Sequence, residues 1–377
     1  MPVPPFPRIL LGPGPSAVAP RVLEACSRPP VGYLDPELFQ ALAEIQEGLR
    51  PLFGTSSELT IAMTGTGMAA MEACFANLVE PGDQVLVGVH GFFGARMVEV
   101  AARCGARVTR VDAEWGQPLD PARMEEAASA LDGRVKLVAC VHAETSTGVR
   151  QPLEPISALA RRLDALLLVD AVTSLGGIPV DMDGCGVDAC YSASQKCLGC
   201  PPGLAPVSVS SRALEAVAAR RTPVQSWYHD WSLIGQYWRG EHAYHHTVPV
   251  CALMGLREAL RAIHEEGLEA RFDRHLAVSG RLLAGLDEMG LRPFAGEGHR
   301  LPMLCSVWIP DGVDDVAVRT RLLAEWGIEI GGGLGALKGR IWRIGLMGES
   351  ATPRNVDLLL AALRRILVQR PGGRGSA

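Results

Sequence analysis

The sequence lacks any apolar run of the roughly eighteen residues that a membrane span requires, so no transmembrane segment is expected. It also lacks a basic excess. Its 36 lysines and arginines face 41 acidic residues, a net charge of -5, which leaves no footprint for nucleic acid or an anionic membrane surface. No internal repeat or low-complexity block is present. The ten cysteines form no disulfide-like framework, and Cys197-x-x-Cys200 has no second pair, so neither a metal centre nor a dithiol redox site is expected. Such scattered thiols within apolar runs suit a reduced, cytoplasmic protein. His245 and His246 are adjacent, do not face each other in a regular helix or strand, and have no further spaced ligands, so zinc is not expected. Met1 to Pro7 is proline-rich and uncharged, unlike a signal peptide. Pro371 to Ala377 is glycine-rich, expected to be disordered, and carries no peroxisomal Ser-Lys-Leu-type signal.

What remains is a chain of 377 residues, 48% hydrophobic and 20% charged, enough to bury a sizeable core. An arm over 1–20, rich in turn residues at Gly12-Pro13-Gly14-Pro15, cannot make a core of its own. Apolar spacing predicts helices from Pro20 to Cys26 and from Pro36 to Phe53. From Leu59 the rhythm becomes strand, turn, helix, repeated through Val135–Val141, a helix over Ile156–Leu163 and the apolar strand Leu167-Leu168-Val169-Asp170. Pro206 to Ser210 reads as a further strand, with Ser211 as the cap of the next helix. Residues 21–248 are expected to form a large α/β domain on a mostly parallel sheet, and 249–370 a smaller α+β one.

The chemistry gathers around Ser194-Gln195-Lys196, where Cys-Pro-Pro-Gly stops regular structure and fixes a lysine on a loop at a strand end. Alone, Lys196 reads as a solvated loop lysine. Upstream, however, Asp170 ends a buried strand, and open α/β sheets place ligands at such ends. A loop lysine for a Schiff base and a strand-end aspartate for a pyridinium nitrogen are what pyridoxal phosphate requires. Thr64-Gly65-Thr66-Gly67, between strand and helix, offers amides and hydroxyls to a phosphate. Phe92 or Phe93, just past a strand end, can stack on a ring. Arg343 is the one charge in an apolar strand and can grip a carboxylate through two hydrogen bonds, of the protein or of a substrate.

These motifs, with Leu11 to Ser16, Thr145-Ser146-Thr147-Gly148-Val149, Tyr244-His245-His246-Thr247 and Arg343-Ile344-Gly345-Leu346, resemble the alanine–glyoxylate/serine–pyruvate aminotransferases of class V. The resemblance spans nearly the whole chain. It implies a fold-type I enzyme with a seven-stranded sheet, a homodimer with shared active sites, and pyridoxal 5′-phosphate as cofactor. Residue by residue, it makes Lys196 the Schiff-base lysine and proton carrier and Asp170 the partner of the ring nitrogen. Thr66, Gly67, Met68 and Gln195 fall at the phosphate, Phe93 at the ring face, and Thr145 or its neighbour Ser146 at the phenolic oxygen. Tyr244 and Thr247 match residues that reach the phosphate from the partner subunit. Arg343 matches the arginine that takes the substrate carboxylate, with Gly14 and Tyr33 narrowing the cleft. Phe93, Met68 and Tyr33 replace a tryptophan and two histidines of the liver-type enzyme. The expected reaction moves the amino group of alanine or serine to glyoxylate or another small 2-oxo acid. A class V lyase or desulfurase and a non-catalytic binding protein are the competing readings. The first needs a loop cysteine, which Gly331 to Gly335 does not contain.

Overall fold

The computed structural model describes residues 8–240 and 242–368; Met1 to Pro7 and the tail expected to be disordered, 371–377, lie outside the described residues. Strand–helix alternation from Leu59 onward builds one sheet. Its strands are β1 (Leu59–Thr64), β2 (Gln84–Val89), β3 (Arg107–Asp112), β4 (Val135–Val141), β5 (Leu166–Asp170), β6 (Ala189–Tyr191) and β7 (Leu204–Val209). The spatial order is β1-β7-β6-β5-β4-β2-β3, and only β7 runs antiparallel to its neighbours. Every residue of β5 and β7 is buried, as expected of strands covered on both faces. Helix α1 (Gly67–Leu78) follows β1 and α2 (Phe92–Arg103) follows β2, so both helices open at the carboxyl end of the sheet.

Helix Pro36–Phe53 begins on Asp35, whose side chain accepts from the Glu37 amide, and ends on Gly54 in the left-handed region. Helix Leu153–Arg162 starts three residues before the expected Ile156. The expected cap at Ser211 is one residue late. Ser210 is extended and its hydroxyl accepts from the Ala213 amide, while Ser211 is already helical.

The long helix Val250–Glu266 packs on helices Pro20–Cys26 and Pro36–Phe53 of the large core, and α3 (Leu268–Asp287) packs against a small antiparallel sheet of β8 (Leu304–Trp308), β9 (Gly331–Gly332) and β10 (Ile341–Gly345). Its apolar cluster, centred on Leu282, Leu322, Trp342 and Ile344, is separate from the large cluster around the seven-stranded sheet. The arm joins them. Ile9–Leu10 pairs in parallel with Ile328–Glu329, and the Gly345 amide donates to Leu11 O at 2.8 Å. A side chain at 345 would meet Gly12 O at 1.9 Å, so glycine there lets the arm lie flat on β10 on its way to the sheet.

Candidate active site

Tyr191 ends β6, and the next five residues turn under the arm. Ser194 anchors that turn: its amide donates to Leu204 O, its hydroxyl to Pro201 O, and its carbonyl accepts from Cys200. The arm holds the lysine's own backbone. The Ser16 amide donates to Gln195 O at 2.9 Å and its hydroxyl to Lys196 O at 2.6 Å. The Lys196 ammonium donates to Pro13 O. Gly14 (φ +106°) lies so close that an added Cβ would sit 2.6 Å from Nζ, so Gly14 is brought to the site as a space rather than a contact. Burial, then the positive charge of Arg343, brings the Lys196 amine down to about 8.

Asp170 is the last residue of β5, and sheet register sets it opposite Tyr191. The Tyr191 phenol donates to Asp170 Oδ2 at 2.7 Å and the Val172 amide to Oδ1 at 2.8 Å. Burial nevertheless pushes the carboxyl up to about 7, with those two hydrogen bonds pulling the other way. Tyr191 carried no signal in the sequence beyond its place in a strand.

A cavity of about 160 Å³ opens between these two groups. Of the expected residues it is lined by Thr66, Gly67, Met68, Phe93, Thr145, Asp170, Gln195 and Lys196, and in addition by Met71, Val141, Ala143, Val172 and Thr173. Thr66 caps α1 without using its side chain, and the amides of Gly67 and Met68 have no acceptor among the described residues. A Cβ at Gly67 would meet Val172 Cγ2 at 2.8 Å, so glycine brings the helix end up to the strand ends. The buried Gln195 Oε1 likewise has no partner among the described residues.

Thr145 and Ser146, alternatives in the sequence, divide cleanly. Thr145 lines the cavity, whereas the Ser146 hydroxyl donates to Glu144 Oε1 at 2.6 Å and accepts from the Phe92 amide at 2.9 Å. Ser146 therefore caps α2 instead of facing the cavity. Glu144, overlooked in the sequence, takes the Phe93 and Gly94 amides of the same helix end. Its chain passes where a side chain on Gly91 would stand, 2.3 Å from Cγ. This carboxylate thus aims Phe93 at the cavity.

Arg343 is buried in β10. Its Nε donates to Gly332 O at 2.7 Å and Nη1 to Thr145 O at 3.4 Å, and no carboxylate lies within 4 Å of it among the described residues. Structural ion pairing, one of its two readings, finds no partner for Arg343 among the described residues. A planar cation is thus held by two neutral carbonyls next to the lysine.

The aminotransferase class V family matches over residues 20–346. The alanine–glyoxylate aminotransferase of Mus musculus is 42% identical over 97% of this chain and 88% of its own length. The (S)-ureidoglycine–glyoxylate transaminase of Bacillus subtilis is 39% identical over 97% and 92%. The crystal structure of an alanine–glyoxylate aminotransferase from Nostoc sp. superposes with a TM-score of 0.94 at 49% identity, covering 97% of both chains. The chain belongs to the class V aminotransferases. It is a transaminase of the fold-type I architecture, and its cofactor is pyridoxal 5′-phosphate.

The residues of this aminotransferase fit that group. A buried amine, a buried carboxylate without a full counter-charge, two unpartnered helix-end amides and an aromatic wall meet in one cavity. Tyr33, Tyr244 and Thr247 are not brought to their own chain's cavity. Tyr33 and Tyr244 are both exposed, with ring centroids 5.0 Å apart. All ten cysteines are free thiols; Cys197 donates to Thr173 O, and burial pushes it up to about 11. His245 and His246 lie in an irregular segment, and their Nδ1 atoms meet there at 2.7 Å because no helix or strand sets their directions. No cluster of three potential metal ligands occurs among the described residues.

The raised Asp170 carboxyl makes stability depend on pH. Between its unfolded value of 3.8 and about 7 the folded cofactor-free chain keeps a proton that the unfolded chain has lost. This contribution is full below about 4 and is lost as pH rises through about 7. The melting temperature of the cofactor-free protein, less that of Asp170→Asn, should therefore fall between pH 4.5 and 8. A difference independent of pH would show that Asp170 is not raised.

Proposed function

We propose that this aminotransferase moves the amino group of a small neutral amino acid, alanine or serine, to glyoxylate or a similarly small 2-oxo acid. The observation that carries this is Arg343, a buried guanidinium beside Lys196 with no carboxylate of its own. One clamp suits the one carboxylate that every such substrate has. Arg343 itself lies outside the cavity lining, and among the described residues that lining adds no second cation clamp: its charged members are Asp170 and Lys196, and Met68, Met71, Phe93, Val141 and Val172 make the rest largely apolar. A donor with a side-chain carboxylate would bury that charge unpaired. The relatives named for alanine and for (S)-ureidoglycine with glyoxylate support the acceptor, and the second keeps (S)-ureidoglycine as another neutral donor. A desulfurase reading fails on the thiols. Gly331 to Gly335 has none, and Cys197 is buried and held protonated.

When bound, pyridoxal phosphate supplies the electron sink that lets an amino acid's α-carbon release its proton. Thr66, Gly67, Met68 and Gln195 would hold its phosphate, Phe93 would pack on its ring and Thr145 would donate to its phenolic oxygen. Asp170 keeps the ring nitrogen protonated. Lys196 receives the α-proton at Nζ and delivers it again, a task suited to an amine lowered to about 8. Arg343 fixes the substrate carboxylate, and the apolar walls exclude water.

Arg343→Ala tests the clamp. A desolvated charge pair with one side truncated loses roughly 2–5 kcal/mol, so kcat/KM for alanine with glyoxylate should fall about 30- to several-thousand-fold. A carboxylate-free amine should lose far less. The wild type should prefer alanine, serine or (S)-ureidoglycine with glyoxylate over glutamate with 2-oxoglutarate; the opposite preference would overturn the reading.

We further propose a cytoplasmic homodimer with shared sites. Ten free cysteines, seven of them buried, support a reducing compartment. Tyr33, Leu34, Trp227, Tyr228 and Tyr244 expose apolar surface, and Tyr244 and Thr247 do not line their own chain's cavity. In the dimer, Tyr244 and Thr247 reach the phosphate of the partner's site. Lys196→Ala chains mixed with Tyr244→Phe/Thr247→Ala chains should regain activity through heterodimers with one intact site. No recovery after verified subunit exchange, or a monomer in sedimentation, would contradict this.

A further inference from the structure

Among the buried charges outside the cavity that the chemistry does not use, Arg271 is tied to both reacting loops. Arg271, in the first turn of α3, is 2% exposed and lies outside the lining of the candidate active-site cavity. Its planar guanidinium makes three contacts, two with carbonyl oxygens and one with a carboxylate. Nε donates to Gly176 O at 3.0 Å, Nη2 donates to Cys197 O at 2.6 Å, and Nη1 meets Glu266 Oε2 at 2.5 Å. Gly176 belongs to the turn that follows Asp170, and Cys197 is the residue after Lys196. One rigid fork thus ties together the two loops that carry the carboxylate and the amine. Those loops also meet directly: Cys197 Sγ donates to Thr173 O, and a Cβ on Gly177 would stand 2.8 Å from that sulfur.

The fork is itself held. Glu266 also binds Arg274, whose Nη1 donates to Gly348 O and Ala351 O, each at 2.9 Å. The Arg271 carbonyl accepts from His275 Nδ1, and the opposite ring nitrogen accepts from the Gly348 amide. Helix α3 is thereby locked to the turn just beyond Arg343. An ion pair meant only for stability would not need its guanidinium turned onto two loop carbonyls, and a buried ion pair is in any case a weak stabiliser.

We propose that Arg271 is a positioning residue, holding the Lys196 loop against the Asp170 loop and so setting amine and carboxylate at the distance the reaction needs. Lysine cannot do the same, because a single ammonium facing Glu266 reaches one of the two carbonyls at a time. The proposal rests on Lys196 and Asp170 acting as assigned above.

The test compares Arg271→Met and Arg271→Lys with wild type, each loaded with pyridoxal phosphate. A displacement of about 1 Å can cost on the order of 100-fold in rate. Arg271→Met should therefore lose about 10- to 100-fold in kcat with KM for alanine within about threefold. Arg271→Lys should fall between it and wild type. Visible circular dichroism of the bound cofactor, which reads its setting rather than turnover, should change in the same order. Melting curves establish that each variant is folded; if the methionine variant is not, the lysine variant decides alone. Folded variants with wild-type kcat and dichroism, even with lowered melting temperatures, would overturn the proposal. Lys196→Ala is carried alongside. An active Lys196→Ala would overturn the assignment of Lys196 together with this proposal, whereas an inactive one beside unaltered Arg271 variants would overturn this proposal alone.

Discussion

A carboxylate buried at the end of a central strand, stabilised by one phenol and one amide, is the constraint on which the site depends. Asp170 can occupy that place because the β5–β6 register puts Tyr191 beside it and the chain's turn supplies the Val172 amide. Those two bonds do not offset its burial, and its carboxyl remains raised. A protonated pyridine nitrogen is the charge that such a group lacks. The lysine is the mirror case: an amine kept from water and lowered by burial and by Arg343. Each group is poor on its own and suited to the cofactor between them.

Beyond Val172 and Tyr191, much of what holds this pair comes from far away in the chain. The arm reaches across through Pro13, Gly14 and Ser16, passing over β10 at Gly345. The glycine run that ends the small sheet hands Arg343 the carbonyl of Gly332. Helix α3 adds Arg271 from behind. The large sheet supplies the reacting residues, while the arm and the last third of the chain hold them in place.

Much of this was legible in sequence because parallel α/β units leave local marks. Apolar runs ending in Asp170, a glycine turn between β1 and α1, and a lysine before Cys-Pro-Pro-Gly each state their place within a dozen residues. The missing parts share a different character. Glu144 capping α2, the Pro13 carbonyl on Lys196 and the Arg271 fork depend on partners 50 to 183 residues apart, which no local pattern encodes. Thr145 and Ser146 were indistinguishable for the opposite reason. Adjacent hydroxyls on one short segment point to different sides, and only the path of Glu144 decides which one faces the cavity. Ser210 and Ser211 posed the same problem at a helix start.

The central claim is that one amine, set by this fold, carries the chemistry, and the chain allows a direct test because it has only three lysines, Lys136, Lys196 and Lys338. Borohydride reduction of the enzyme loaded with pyridoxal phosphate, followed by peptide mapping, reads the link itself. The account predicts the label on Lys196 and none on that peptide in Lys196→Ala, whose chain still folds. Label on Lys136 or Lys338 in the wild type would contradict it.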